Sequence, residues 1–201
     1  MQINIDKKTA VFLGVIVLLI AAIFSITINQ DRNDEHMRSG QMGSGMMNSS
    51  GSANYTGADI MFLQMMIPHH QQAVDMSNLA LKATKDTELL ALAKAIKDAQ
   101  SSEIIQMKAW LKDAGASTDM GHSMSGMGGM LSDEEYSALT AATGAEFVRL
   151  WLEGMIGHHN GAIHMTQMIV DADNSEIKAF GENVVKVQTA EIAQMKEMLK
   201  K

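Results

Sequence analysis

The chain has 201 residues, 46% of them hydrophobic and only 19% charged, and its 16 Lys and Arg against 23 Asp and Glu leave a net charge of −7. An acidic balance without a basic patch excludes a nucleic-acid binder, because phosphate recognition needs clustered Lys and Arg. The absence of cysteine excludes disulfides, thiolate zinc sites, iron–sulfur clusters and a cysteine nucleophile. One proline, and few β-branched or aromatic residues beyond residue 30, point to helices rather than sheet. The anomaly is methionine, with 19 residues.

Residues 1–8 form a short N-terminal segment carrying Lys7 and Lys8. Residues 9–28, TAVFLGVIVLLIAAIFSITI, carry no charge. At about 1.5 Å per residue they reach roughly 30 Å, the thickness of a bilayer's hydrocarbon core. Lysines before the segment and Asp31, Asp34 and Glu35 after it place the N-terminus in the cytoplasm and the rest outside, by the positive-inside rule. The length predicts an uncleaved transmembrane signal anchor. The alternative is a cleaved signal peptide, whose apolar region is usually shorter and followed by a small-residue cleavage site. Both readings export the remainder to the periplasm or the cell exterior.

Residues 29–57, rich in Ser, Gly, Asn and Met, read as a flexible tether. A helical domain should follow over 58–200. Thr56 and Asp59 have capping-box spacing, so the first helix is expected at 58–82. A second runs from about 87 to 113 and stops at Gly115. Residues 114–131 form a Gly/Ser/Met loop. Ser132 with Glu135, and Thr143 with Glu146, predict further capping boxes, a short helix at 133–142 and a long one at 145–171. After a turn at Asp173 and Asn174 the last helix spans 175–199.

The long helices repeat. FLQMMIPHHQQAVDM (62–76) aligns with WLEGMIGHHNGAIHM (151–165), and QSSEIIQM (100–107) with QTAEIAQM (188–195). Two similar helical hairpins cannot each bury an apolar stripe alone. Packed together they make an all-α four-helix bundle with a pseudo-twofold axis.

Met66, His69, His70 and Met76, and the copy Met155, His158, His159 and Met165, lie on one helical face with Ala73 and Ala162. One histidine on an apolar face is ordinarily a hydrogen-bonded core residue. Four in matched pairs beside methionines point to metal ligation. Glu103 with Met107, and Glu191 with Met195, fall in apolar stripes of the second and last helices, alongside Gln100 and Gln188. A buried carboxylate is costly unless paired or bound to metal. Glu–His pairs that only fix the bundle register are the bland alternative, and second-shell orientation of metal-binding histidines is compatible with either. Pro68 and Gly157 precede the histidine pairs. Two accounts stand level: a local kink, or close packing helped by Gly154, Gly157 and Gly161.

Core packing accounts for Met61, Met168 and Met198. It does not account for Met120, Met124, Met127 and Met130, which surround His122 in the loop, nor for Met37, Met42, Met46 and Met47, which follow His36 in the tether. Thioether sulfur is a soft neutral donor that selects Cu(I), with Ag(I) as its mimic, and neutral imidazole suits copper as well. A di-iron carboxylate bundle needs Glu-x-x-His pairs, but Gln106 and Gln194 stand where those histidines would be.

The doubled Met-I-x-His-His-x-x-Ala-x-x-Met segments and the Gln-x-x-Glu-Ile-x-x-Met segments resemble the domain-of-unknown-function family number 305, over roughly residues 56–200. The resemblance implies a ferritin-like bundle, exported, binding copper through His and Met, and linked to copper tolerance. It points to Met66, His69, His70, Met76, Glu103 and Met107, and to Met155, His158, His159, Met165, Glu191 and Met195. His164 stands where the first copy has Asp75, and it joins the expected ligands as a source of inequality between the two sites.

The expected function is therefore sequestration or delivery of Cu(I) outside the inner membrane, not catalysis. A copper exporter or another copper protein is the candidate partner. A Cu(I) oxidase and a metal-free adaptor bundle are the alternatives.

Overall fold

The computed structural model describes residues 55–119, 121 and 128–201. The apolar segment 9–28, the tether up to residue 54, and Met120, His122, Met124 and Met127 lie outside the described residues. Among the described residues there are helices and no strands, and no helix is long and apolar enough to cross a membrane.

Helix α1 spans Gly57–Ala83. The Thr56 hydroxyl accepts from the Asp59 amide at 3.1 Å, and the Asp59 carboxylate accepts from the Thr56 amide at 2.7 Å, so both halves of the capping box form. The helix runs unbroken through Pro68. Helix α2 spans Thr87–Asp113, with Asp86 accepting from the amides of Glu88 and Leu89. It ends before Gly115, whose φ of +67° is the left-handed turn that glycine takes without strain. Helix α3, Asp133–Ala141, starts with a complete box between Ser132 and Glu135.

Helix α4 spans Gly144–Met165 and corrects two expectations. Thr143 makes no side-chain cap bond. Its expected partner, Glu146, is held instead by Arg149 at 2.6 Å. The helix also stops at Met165 and tightens into a 3₁₀ turn, Thr166–Ile169, rather than continuing to 171. The Thr166 hydroxyl donates to the Ile163 carbonyl at 2.7 Å, a local bond that competes with regular helix geometry. Helix α5, Ser175–Met198, is capped by Asn174, which accepts from the amides of Glu176 and Ile177.

The short link at 84–86 folds α2 back along α1 as a hairpin, and α4 and α5 form the second. The hairpins meet through α1 and α4. Two apolar clusters fill the interior. One holds Met76, Leu92, Trp151, Met155 and Met195, and the other Phe62, Met66, Met107, Met165 and Phe180. Met66 near the start of α1 thus shares a cluster with Met165 at the end of α4, while Met76 shares one with Met155. Helices α1 and α4 are therefore antiparallel, with the histidine pairs at their crossing. Trp151 is fully buried and its indole donates to the Met76 carbonyl at 2.9 Å, tying the hairpins together.

Of the methionines assigned to the core, Met198 is buried and Met168 packs against a cluster. Met61 is 48% exposed. It lies one residue, about 100°, off the stripe through Phe62, Met66, Ala73 and Met76, which is enough to turn it to solvent.

Candidate metal centre

The four paired histidines come together where α1 crosses α4. His69, His70, His158 and His159 are all fully buried. His69 and His158 face each other with ring centroids 3.7 Å apart and planes inclined by 38°. That separation leaves no room for an ion between the faces, so any ligation uses ring edges.

The hydrogen bonds set which edge is free. His70 donates from Nε2 to the Glu103 carboxylate at 2.9 Å, and His159 from Nε2 to Glu191 at 2.7 Å. His158 donates from Nε2 to the His69 carbonyl at 2.8 Å, and His69 from Nε2 to the Gly128 carbonyl at 2.8 Å. Every acceptor is an oxygen, so every ring carries its proton on Nε2. All four Nδ1 atoms are buried and have no hydrogen-bond partner. In the neutral ring Nδ1 is a bare lone pair, and leaving such an acceptor unsatisfied costs about 1–3 kcal/mol. Burial, and then the neighbouring His70 ring, push the pKa of His69 down to about 3. Burial, with His69 beside it, holds His158 well below the ordinary histidine value. Both rings are therefore neutral donors at neutral pH.

Thioethers lie on both sides of this pair. Met66, Met107 and Met165 share one buried cluster, and Met76, Met155 and Met195 the other, which also holds Met198 at the end of α5. Each trio draws one methionine from α1, one from α4, and one from α2 or α5. Each cluster thus mixes methionines from both hairpins.

Among the described residues, no three His, Asp or Glu side chains converge as a metal site. A site of three or more side-chain ligands here would draw on thioethers as well as imidazoles. The donors at the crossing fit a soft monovalent ion: neutral nitrogen lone pairs, thioethers, and carboxylates already engaged in orienting imidazoles.

A protein-family model, Domain of unknown function (DUF305), matches residues 59–199. The chain belongs to the DUF305 family. A DUF305 fragment from Deinococcus radiodurans is similar at 31% identity and a TM-score of 0.68, over 72% of this chain and 97% of that one. A putative secreted DUF305 protein from Streptomyces coelicolor is similar at 33% identity and 0.65, over 71% and 91%. CopM in its Cu(I)-bound form is similar at 31% and 0.61, over 73% and 96%, and CopM has also been solved with Cu(II), with Ag and in the apo form. No curated protein matches.

Within this DUF305 domain, Glu103 and Glu191 meet the histidines that the repeat pairs with them. His164 does not join them. It is exposed, because five residues beyond His159 on an α-helix it points about 140° away. Met130 is half-buried beside the α1–α4 crossing through its neighbours Gly129 and Leu131. Met120, His122, Met124 and Met127 fall outside the described residues. Gln100 is buried with neither amide atom partnered, and Gln188 leaves its Oε1 unpartnered. Both lie one turn from the paired glutamates, a spacing visible in the sequence.

The glycines of α4 also find their use. A Cβ on Gly154 would touch the Leu131 side chain at 3.1 Å, and one on Gly161 would run into the Gly128 carbonyl. Both make room for the end of the Met-rich loop, and Gly154 also lies against Met76 of α1.

Proposed function

We propose that this DUF305 protein binds copper, as Cu(I), outside the cytoplasm and holds it for sequestration or delivery. One observation carries the reading: four buried imidazoles, all protonated on Nε2, keep four unpartnered Nδ1 lone pairs between two trios of buried methionines. A dry interior that leaves these acceptors empty is more costly than one in which they ligate. The similarity to CopM, solved with Cu(I), Cu(II) and Ag, supports the same class of ligand.

On this reading the two hairpins form a ferritin-like four-helix bundle. The proposed ligands are Met66, His69, His70, Met107 and Met165, with Met76, Met155, His158, His159 and Met195. Glu103 and Glu191 orient His70 and His159. The Met-rich loop and tether collect Cu(I) and exchange it with the bundle, residues 9–28 anchor the domain to the membrane, and a copper exporter or another copper protein receives the ion. The activity is binding and transfer, without a catalytic step.

The test is an anaerobic Cu(I) titration of the full-length chain in detergent against a chromophoric chelator, beside a variant with His69, His70, His158 and His159 all changed to Ala. Loss of tight binding in the variant is expected. Equal binding by both proteins would move the site to the methionine segments. If neither competes with the chelator, the bundle is a metal-free adaptor.

A further inference from the structure

One segment of the chain reaches the histidine crossing without being part of a helix. Residues 128–131 lie across it as a strap. Gly128 and Gly129 take φ of +56° and +78°, left-handed conformations that carry the backbone flat onto α4. A Cβ on Gly129 would run into the Gly157 carbonyl. A Cβ on Gly128 would fall 2.9 Å from Met165 Sδ and 3.6 Å from His69 Cδ2, so the strap rests directly on a thioether and an imidazole. It is pinned at both ends. Gly128 O accepts from His69, and Leu131 is gripped by Gln72, whose amide donates to the Leu131 carbonyl at 2.9 Å and accepts from the Leu131 amide at 2.7 Å. The repeat places Gly161 where the first copy has Gln72. The second copy supplies the groove, and the first supplies the grip.

We propose that Gln72 is a positioning residue acting through this strap: it latches residues 128–131 over His69, and opening the latch is the route by which a metal ion reaches or leaves the centre. The exchange role rests on the copper reading above. The cover itself does not. Such a two-point backbone clasp suits a part that must close firmly yet release as a unit, because breaking it leaves α1 and α4 intact. Neither Gln72 nor Gly161 belongs to the proposed ligand set.

Two variants of the full-length chain open the latch by different means. Gln72→Leu removes both bonds to Leu131, and Gly161→Ala fills the groove. The metal-free proteins are treated with diethyl pyrocarbonate, and each histidine is followed by mass spectrometry, with exposed His164 as the internal reference. Labelling of His69 should rise about tenfold in both variants, the scale of losing two modest hydrogen bonds, while His70 and His159 stay protected. Copper-loaded proteins are then mixed with excess chromophoric Cu(I) chelator, and release should quicken by a similar factor. Unchanged His69 labelling in both variants overturns the latch, and so does equal acceleration at His69, His70 and His159, which reports general loosening. Faster labelling with unchanged release overturns the exchange route. A wild-type chain that holds no copper overturns the copper reading and the exchange role with it, while the labelling still decides whether the strap covers His69.

Discussion

His158 donates its Nε2 proton to the backbone carbonyl of His69, but His69 does not return the bond: its own Nε2 proton goes to Gly128. Two residues that the sequence repeat makes equivalent are therefore held by different parts of the molecule, one by the opposite helix and one by a loop. Their ring centroids nevertheless lie 3.7 Å apart, and both rings are neutral, His69 through burial and the His70 ring and His158 through burial and the His69 ring.

That neutrality gives stability a defined pH dependence. An unfolded histidine titrates near about 6.5, whereas folded His69 does so at about 3. Above the first value neither state is protonated. Below it the unfolded chain binds protons that the folded chain refuses, so stability falls as pH drops from about 6.5 toward 3, by up to about 1.4 kcal/mol per pH unit for each such ring. The urea midpoint of the metal-free protein should decline steadily between pH 7 and pH 5. His158→Gln, which keeps an amide donor for the His69 carbonyl, should flatten that decline by about half. A midpoint constant across the range would contradict the assignment.

The two Glu–His pairs should differ in cost. The Glu191 side chain is 2% exposed and that of Glu103 11%. Removing Glu191 strands a donor in a drier site. Glu191→Ala should destabilise by about 3 kcal/mol and Glu103→Ala by less, measured by urea unfolding at pH 7. Equal losses would show that the second pair is no better shielded than the first.

Methionine mixing between hairpins makes a prediction that the repeat alone does not. Changing Met66, Met107 and Met165 together to Leu should remove one Cu(I) equivalent and leave the other site intact. Changing Met66 and Met76, which one helix supplies to the two different clusters, should weaken both sites. Each Met→Leu swap nearly conserves volume and should cost under about 1.5 kcal/mol. Stoichiometry by competitive titration separates the two outcomes, and a loss confined to one site in the second variant would indicate a within-hairpin arrangement.

The two threonines with capping-box spacing are expected to behave differently. Thr56→Ala loses a complete box and should cost about 1 kcal/mol. Thr143 makes no cap bond, so Thr143→Ala should fall within a few tenths of zero. Thermal unfolding of the two single variants checks the contrast.

Much of this architecture was legible because it is local. The caps at Thr56 and Ser132, the stop before Gly115 and the buried stripe through Ile96, Gln100, Glu103, Met107 and Trp110 all follow from spacing within one helix. The histidine–glutamate pairs followed from the matching repeat. Thr143 misled because Arg149, three residues from Glu146, competes for the same carboxylate. His164 was misplaced although its angle on the helix was already calculable. The methionine trios and the strap were illegible for a different reason. Spacing along α1 says which residues share its face, but not which end of α4 lies opposite, and Gly154 and Gly161 show that a neighbour needs room without saying which.

The grip at Gln72 and the groove at Gly161 occupy the same place in the two hairpins, yet neither residue can do the other's task. A homodimer of one hairpin would carry the same side chain at both places, and so would have two grips and no groove, or two grooves and no grip. Joining the hairpins in a single polypeptide removes that symmetry constraint. The linker between α2 and α3 is then both the covalent tie that permits the two halves to diverge and, at its far end, the segment that exploits the divergence.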